Sequence, residues 1–321
     1  MIELEYIMKA KFIKPFRDLS KKDIHIAGGK GASLGEMTQA GLLVPPGFVV
    51  LATVFDEFLK QTDLNIEIDS IIKKVNHKDI NSVEGASVKI RDLINDKLIP
   101  EDIKKEIEKE FTKLKAKYVA VRSSATAEDS SIASWAGELE SYLNVTKSNL
   151  LESIKKCWSS LFTPRAIFYR FEKKLNNQKI SVAVIIQKMI QSEISGICFT
   201  VHPVTEDRNQ MVIEAGYGLG EAIVGGRITP DTYVINKKLN SILDINISKQ
   251  KMMITKTPEG TTEIKVLASK QEKQKLNNKQ IIKLAKICKK IEKHYKSPQD
   301  IEWALENNKI HITQSRPITT L

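Results

Sequence analysis

Residues 118–145, YVAVRSSATAEDSSIASWAGELESYLNV, set the terms for the whole chain. A short apolar run, residues 118–121, reads as a buried strand that delivers Arg122 at its end. Ser123, Ser124, Ala125, Thr126 and Ala127 follow, and beyond Glu128 and Asp129 a second set of small residues closes on Gly137. Small side chains let backbone come close to a ligand, and glycine accepts the dihedral angles of a tight loop. Inward-pointing N–H groups and hydroxyls beside one arginine suit a polyphosphate. A flexible Ser/Ala-rich surface loop accounts for the same composition. Composition alone leaves both readings standing.

The chain has 321 residues, which predicts two or three subdomains. Its longest apolar runs, such as residues 182–186, have strand length and fall far short of a membrane span. The first residues lack the apolar core of a signal peptide. Cys157, Cys198 and Cys288 are odd in number and have no metal-ligand spacing, which predicts buried free thiols in a reducing cytosol. The net charge is +11. The lysines are spread through helical segments without interleaved aromatics, so the pattern predicts a solvated surface and no nucleic acid. Attraction of a polyanionic substrate is a secondary effect of that charge.

Other motifs fall at the ends of elements. Gly28, Gly29, Lys30 and Gly31 read as a loop before a helix over 32–40, able to present N–H groups and an ammonium to phosphate. The Walker A spacing is absent, and a helix-capping turn explains the glycines equally well. Residues 65–117 read as helical scaffold, and 149–176 as helical with a break at Thr163-Pro164. Strands are expected over 180–189, 196–201 and 211–214. Gly216, Gly218 and Gly220 then lead to a short helix, without the Rossmann spacing. Hairpins over 238–266 and an amphipathic helix over 277–295 follow.

The last segment, SPQDIEWALENNKIHITQSRPITTL, reads as two antiparallel strands, 301–305 and 309–313. Alternation puts Asp300, Glu302 and Ala304 on one face, and Gln314 with Arg316 on one face of the return strand. A Glu and a Gln meeting across a hairpin beside an Arg make an oxygen-rich pocket suited to Mg²⁺, with a phosphate clamp. An ordinary polar hairpin is the competing reading; the apolar alternation and Pro317 favour the site.

Taken together, GGKGASLGEM with GLLVPPGF, AVRSSATAEDSS, ASWAGELESYLNV, EAGYGLGEAIVGGRITPDTY, IEKHYKSPQDIEWA and ITQSRP resemble the nucleotide-binding domain of the phosphoenolpyruvate synthase and pyruvate phosphate dikinase family. The resemblance is collinear from about Phe16 to Pro317. It implies an α+β, ATP-grasp fold of two subdomains, 1–185 and 186–321, enclosing ATP. It implies that Lys30 and Arg122 contact phosphates. Gly137 and Ser141 would lie in the loop that folds over them; the family usually has Thr at the second place. Gln187 would be near the adenine, with the backbone of Lys188 and Met189 as hydrogen-bond partners. Glu302 and Gln314 would hold Mg²⁺, with Asp300 orienting these ligands, and Arg316 would neutralise charge on the transferred group. Lys30, Arg122 and Arg316 are the implied catalytic residues.

Three departures stand out. Trp135 replaces a frequent Phe, Glu206 replaces a frequent Gly, and Glu138-Leu139-Glu140 replaces an amide-rich run. The extra carboxylates are expected to weaken nucleotide affinity or to recruit metal.

In the family, ATP phosphorylates a His on a swivelling domain, which carries the group to pyruvate on a third domain, with AMP and Pi released. None of His25, His77, His202, His294 or His311 has the sequence setting of that phosphocarrier. The implied partners are therefore a phosphocarrier His domain and a pyruvate-binding domain, in a separate chain or a longer protein. Alternative readings are the ATP-binding part of a rifamycin phosphotransferase or other dikinase, and a stand-alone, non-catalytic ATP-binding module. The set Lys30, Arg122, Glu302, Gln314 and Arg316 argues against the last. A cytoplasmic location is expected.

Overall fold

Two antiparallel sheets organise the chain, one in each half of the sequence. The computed structural model describes residues 12–126, 129–130, 133–134 (129–130 and 133–134 as backbone only), 140–173, 175, 180–257 and 260–318. Contacts divide it into two units: residues through 36 with 46–189, and 37–45 with residues from 190 onward.

The strands of the first unit are β1 (Ile13–Pro15), β2 (Gly47–Val50), β3 (Val119–Ala125), β4 (Asp129–Ser130), β5 (Ala133–Ser134), β6 (Ser141–Val145) and β7 (Val182–Lys188). Its helices are α1 (Ile24–Gln39), α2 (Ala52–Gln61), α3 (Leu64–Lys73), α4 (Ile80–Asp96), α5 (Glu101–Leu114), α6 (Leu150–Ser159) and α7 (Pro164–Glu172). The main sheet runs β1-β2-β7-β3-β6, and β4 pairs with β5 separately. Apolar residues three and four apart on α2, α4 and α6 bury Phe55, Phe58, Ile90, Ile94, Ile154 and Trp158. Phe58 stacks on Trp158 with ring centroids 4.9 Å apart. The break at Thr163-Pro164 is a helix start: Thr163 Oγ1 accepts from the Ala166 amide at 3.2 Å.

Two expectations need correction here. The run Arg122 to Ala125 is strand, not loop, because β3 lies between β7 and β6 and its backbone is committed to both. Its small side chains serve packing: Ser123 and Ser124 are buried. Likewise Gly28 to Gly31 is not a loop ahead of the helix. The helix spans Ile24–Gln39 and is broken at Gly28, whose φ of 66° and ψ of 170° only glycine adopts at low cost. That break lets α1 come down on β3. The Gly31 amide donates to Ser124 Oγ at 3.3 Å.

The second unit contains β8 (Ile194–Phe199), β9 (Gln210–Tyr217), α8 (Glu221–Val224), β10 (Asp231–Asn236), β11 (Ser241–Asn246), β12 (Met252–Thr257), β13 (Gly260–Lys265), α9 (Asn278–Tyr295), β14 (Gln299–Glu306) and β15 (Lys309–Pro317). Its sheet runs β11-β10-β9-β8-β14-β15, and β12 with β13 forms a separate ribbon. Register puts Ile213, Cys198 and Ile301 on one face, with Trp303 and Ile312 two residues along. All five are buried, as are Ile281, Leu284, Cys288 and Ile291 of the amphipathic α9, which packs on β9, β11 and β14. A capping box starts α9: Asn277 Oδ1 accepts from the Gln280 amide, and Gln280 Oε1 from the Asn277 amide, both at 3.0 Å. Ahead of it, Lys275 Nζ and Asp231 Oδ1 form a fully buried ion pair at 2.7 Å, and Tyr233 Oη donates to Asp231 Oδ2 at 2.9 Å. The three cysteines are free and buried. Among the described residues, no helix is long and apolar enough to cross a membrane.

A Cβ on residue 28 would lie 2.2 Å from Ser124 Oγ and 2.4 Å from the Ser124 carbonyl oxygen. Gly28→Ala combines that overlap with a left-handed backbone, so it should cost at least about 2 kcal/mol in urea unfolding. An unchanged midpoint would contradict this account of the α1–β3 seam.

Candidate functional site

In the first unit, the seam on Ser124 positions two of the cationic candidates. Lys30 lies in the helical turn after the Gly28 break, between the two glycines closest to Ser124. Arg122 is two residues before Ser124, on the same side of β3, and both Lys30 and Arg122 are half-exposed. Register pairs Arg122 with Ser141 of β6, an exposed residue. Gly137 and Trp135 lie outside the described residues. The structure thus brings Lys30, Arg122 and Ser141 to neighbouring positions around the middle of β3.

Gln187 lies one residue before the end of β7, buried, and pairs with Gly47 and Ala120. The amides of Lys188 and Met189 donate to the carbonyl oxygens of Pro46 (2.8 Å) and Tyr118 (3.1 Å). Those two donors are thus engaged within the first unit.

The second unit's candidates come together on its terminal hairpin. A two-residue turn, Asn307-Asn308, has both φ values positive (49° and 59°), the dihedral choice that matches strand twist. It sets the pairs from Glu306–Lys309 to Trp303–Ile312, and a one-residue shift beyond them makes Glu302 face Gln314 and Asp300 face Arg316. That shift is a bulge between Glu302 and Trp303. Bulges re-aim side chains next to functional sites. Arg316 Nε donates to Asp300 Oδ2 at 2.8 Å, and Arg316 Nη2 lies 2.7 Å from the same oxygen. Asp300 therefore orients the guanidinium directly. Burial pushes the Asp300 carboxyl up; Arg316 opposes this and Glu302 adds to it.

Sequence reasoning missed one residue on this face. Glu302 pairs with Ile197 of β8, which pairs with Glu214 of β9. Directly opposed residues share a face, so Glu214 looks the same way as Glu302 and Gln314. Burial, and then the Asp300 charge, raise the Glu214 carboxyl above its ordinary value. The signal available beforehand was a lone acid in the otherwise apolar run 211–215.

The donor chemistry of the hairpin fits Mg²⁺, which keeps several waters and takes one or two protein oxygens plus phosphate. Glu302 and Gln314 supply such a pair. Among the described residues, no group of three or more His, Cys, Asp or Glu side chains has metal-holding geometry.

The histidines have structural settings where the contacts are visible. His202 Nδ1 accepts from the amides of Val204 and Thr205 at 3.3 and 3.2 Å. His77 stacks on Phe171 at 5.1 Å. Glu206 sits at φ 56°, which accounts for a glycine preference at that position.

Two cationic side chains thus lie beside the α1–β3 seam of the first unit, and an oxygen-donor pair with an oriented arginine lies on the terminal hairpin of the second. The chain belongs to the pyruvate phosphate dikinase AMP/ATP-binding domain family, whose model matches residues 24–321. It is 46% identical over 319 residues to a probable phosphoenolpyruvate synthase of Methanocaldococcus jannaschii, covering 97% of this chain and 27% of that protein. It is 46% identical over 310 residues to a probable phosphoenolpyruvate synthase of Archaeoglobus fulgidus, covering 95% and 41%. A rifampicin phosphotransferase of Bacillus cereus is 39% identical over 316 residues, covering 97% and 36%. The chain thus spans less than half the length of each of these relatives.

A carboxyl raised in the folded state adds stability below its unfolded pKa, and that stability is lost as pH rises through the folded value. Glu214→Gln should therefore raise the melting temperature at pH 7.5 by a degree or more and lose that advantage at pH 4. An equal or opposite shift at the two pH values would contradict the buried, charge-coupled placement of Glu214.

Proposed function

We propose that the chain is the ATP-grasp, ATP-binding part of a phosphoenolpyruvate-synthase-like dikinase. In this reading the chain binds ATP, and the β-phosphoryl of ATP passes to a histidine on a swivelling carrier domain. AMP and Pi are released, and the carrier phosphorylates pyruvate on a further domain. The observation that carries the reading is the Glu302–Gln314 and Asp300–Arg316 register on one hairpin, within a chain of the AMP/ATP-binding family. The identity to proteins named phosphoenolpyruvate synthase supports the same acceptor chemistry.

Each residue has a physical task in this scheme. Phosphoryl transfer asks mainly for positioning and for charge opposite the equatorial oxygens. Lys30 and Arg122 neutralise the polyphosphate from the α1–β3 seam. Ser141, paired with Arg122, offers a hydroxyl beside it. Arg316, held in orientation by Asp300, takes the charge that develops on the transferred group. Glu302 and Gln314 would hold Mg²⁺, which would supply positive charge to offset that of the phosphates. Gly137 is assigned to the phosphate-covering loop and Gln187 to the adenine end. The three unbridged thiols suit a cytosolic location, where they stay reduced.

A second reading, with a rifamycin in place of pyruvate as final acceptor, is favoured by the 39% identity to the rifampicin phosphotransferase. Both readings share the ATP half-reaction.

The test is a single-turnover assay with β-labelled ATP, Mg²⁺ and a purified carrier domain of the relatives. Label should move to an acid-labile phosphohistidine, with AMP as the nucleotide product. Accumulation of ADP, or a carrier that stays unlabelled, would defeat the proposal. Within that assay Arg316→Ala should slow transfer by about 10³-fold or more, because it removes transition-state charge. Near-wild-type transfer would remove Arg316 from the role.

A further inference from the structure

Strand β6 is the edge of the first unit's sheet, bonded to β3 on one side only. Its pairing is irregular. Val119 faces Val145, yet Val121 faces Tyr142, so one extra β6 residue is accommodated between these pairs. Asn144, buried in this stretch, has φ 54°. An edge strand has a partner on one side alone to hold its register, and a slip of one residue turns every side chain to the opposite face. Ser141 would then no longer oppose Arg122.

Glu140, immediately before β6, holds that register in place. Its carboxylate receives Arg91 of α4, Nη2 to Oε1 at 3.1 Å, and the Tyr142 hydroxyl on Oε2. Its carbonyl oxygen accepts from the Ser123 amide at 3.2 Å and from Ser123 Oγ at 2.9 Å. Cys157 Sγ of α6 points at the same carbonyl at 3.9 Å. The two charged side chains are about one third exposed (33% and 32%), so the ion pair is partly shielded from water. Burial, then the adjacent carboxylate, keeps the Tyr142 hydroxyl protonated and donating. One residue thus ties the edge strand to α4, to its own second residue and to the central strand β3. This corrects the expectation that Glu140 faces phosphate or recruits metal: its carboxylate is turned to Arg91 and Tyr142. Glu138 lies outside the described residues.

We propose that Glu140 is a positioning residue of the nucleotide site, clamped by Arg91 and Tyr142 so that Ser141 stays opposite Arg122. The inference rests on the ATP-binding reading above. It predicts that removing the clamp weakens nucleotide binding.

Isothermal titration of the full chain with Mg²⁺ and a non-hydrolysable ATP analogue tests this, with melting temperatures recorded alongside. Glu140→Gln and Arg91→Met should each weaken binding about five-fold or more, and the double variant should be no weaker than the worse single, because the two act as a unit. Arg91→Lys should recover part of the loss. Lower melting temperatures with unchanged affinity would overturn the inference, leaving the clamp merely structural. Tighter binding by Glu140→Gln would overturn it too, since the carboxylate would then be repelling phosphate. If Arg91→Met fails to fold, Arg91→Lys and Tyr142→Phe decide the same question by the same affinities. A wild-type chain that binds no analogue overturns the ATP reading itself; wild-type affinity retained by every variant overturns the positioning role alone.

Discussion

The contact between the start of α1 and Ser124 of β3 is the constraint on which the first unit depends. Helices do not normally bring backbone this close to a strand, because the intervening Cβ atoms keep them apart. Here Gly28 on one side, and a serine on the other, remove that obstacle. The reward is positional. Lys30 is held within one turn of the seam, and Arg122 lies two residues away on the strand. A hydroxyl at position 124, rather than a larger group, also satisfies the Gly31 amide, one of the donors that a helix start leaves unpaired.

The second unit solves its own positioning problem by a different device. Its candidate residues sit on a sheet whose other face packs against α9, which leaves Asp300, Glu302 and Glu214 on the face away from the helix. Period-two alternation does the sorting: Ile301 and Trp303 go inward, while Asp300 and Glu302 go outward. The cost is electrostatic. Three carboxylates, Asp300, Glu302 and Glu214, share that outward face with Arg316, and two of them are pushed up in pKa by burial. Such like-charge crowding destabilises a resting protein, and it is the expected signature of a face that receives cations.

Legibility in the sequence followed the strength of the local rule. The terminal hairpin could be read because alternation, an Asn-Asn turn and paired polar residues all pointed the same way. Helix α9 was equally clear from its 3.6-residue apolar period. The run Arg122 to Ala125 was misread, since small residues satisfy a loop and a tightly packed central strand alike, and only the pairing with β7 decides between them. Gly28 to Gly31 was misread for a related reason: a glycine break inside a helix and a glycine loop before one have the same composition. Glu214 went unnoticed because its partners are two strands away and no local pattern reports them. The mixed α+β character follows from the alternation of periods along the chain, whereas membership of the AMP/ATP-binding family rests on motifs and on the match over residues 24–321.

The proposed reading rests most heavily on the β14–β15 hairpin, where register and the Asp300–Arg316 contact set an oriented arginine beside an oxygen-donor pair. A Mg²⁺-nucleotide bound by those residues would slow exchange of their backbone amides. Hydrogen exchange of the 321-residue chain with and without Mg²⁺ and a non-hydrolysable ATP analogue tests this most directly. Saturable protection of residues 300–302 and 314–316 is the predicted result. Unchanged exchange at these residues with the analogue in excess would contradict it.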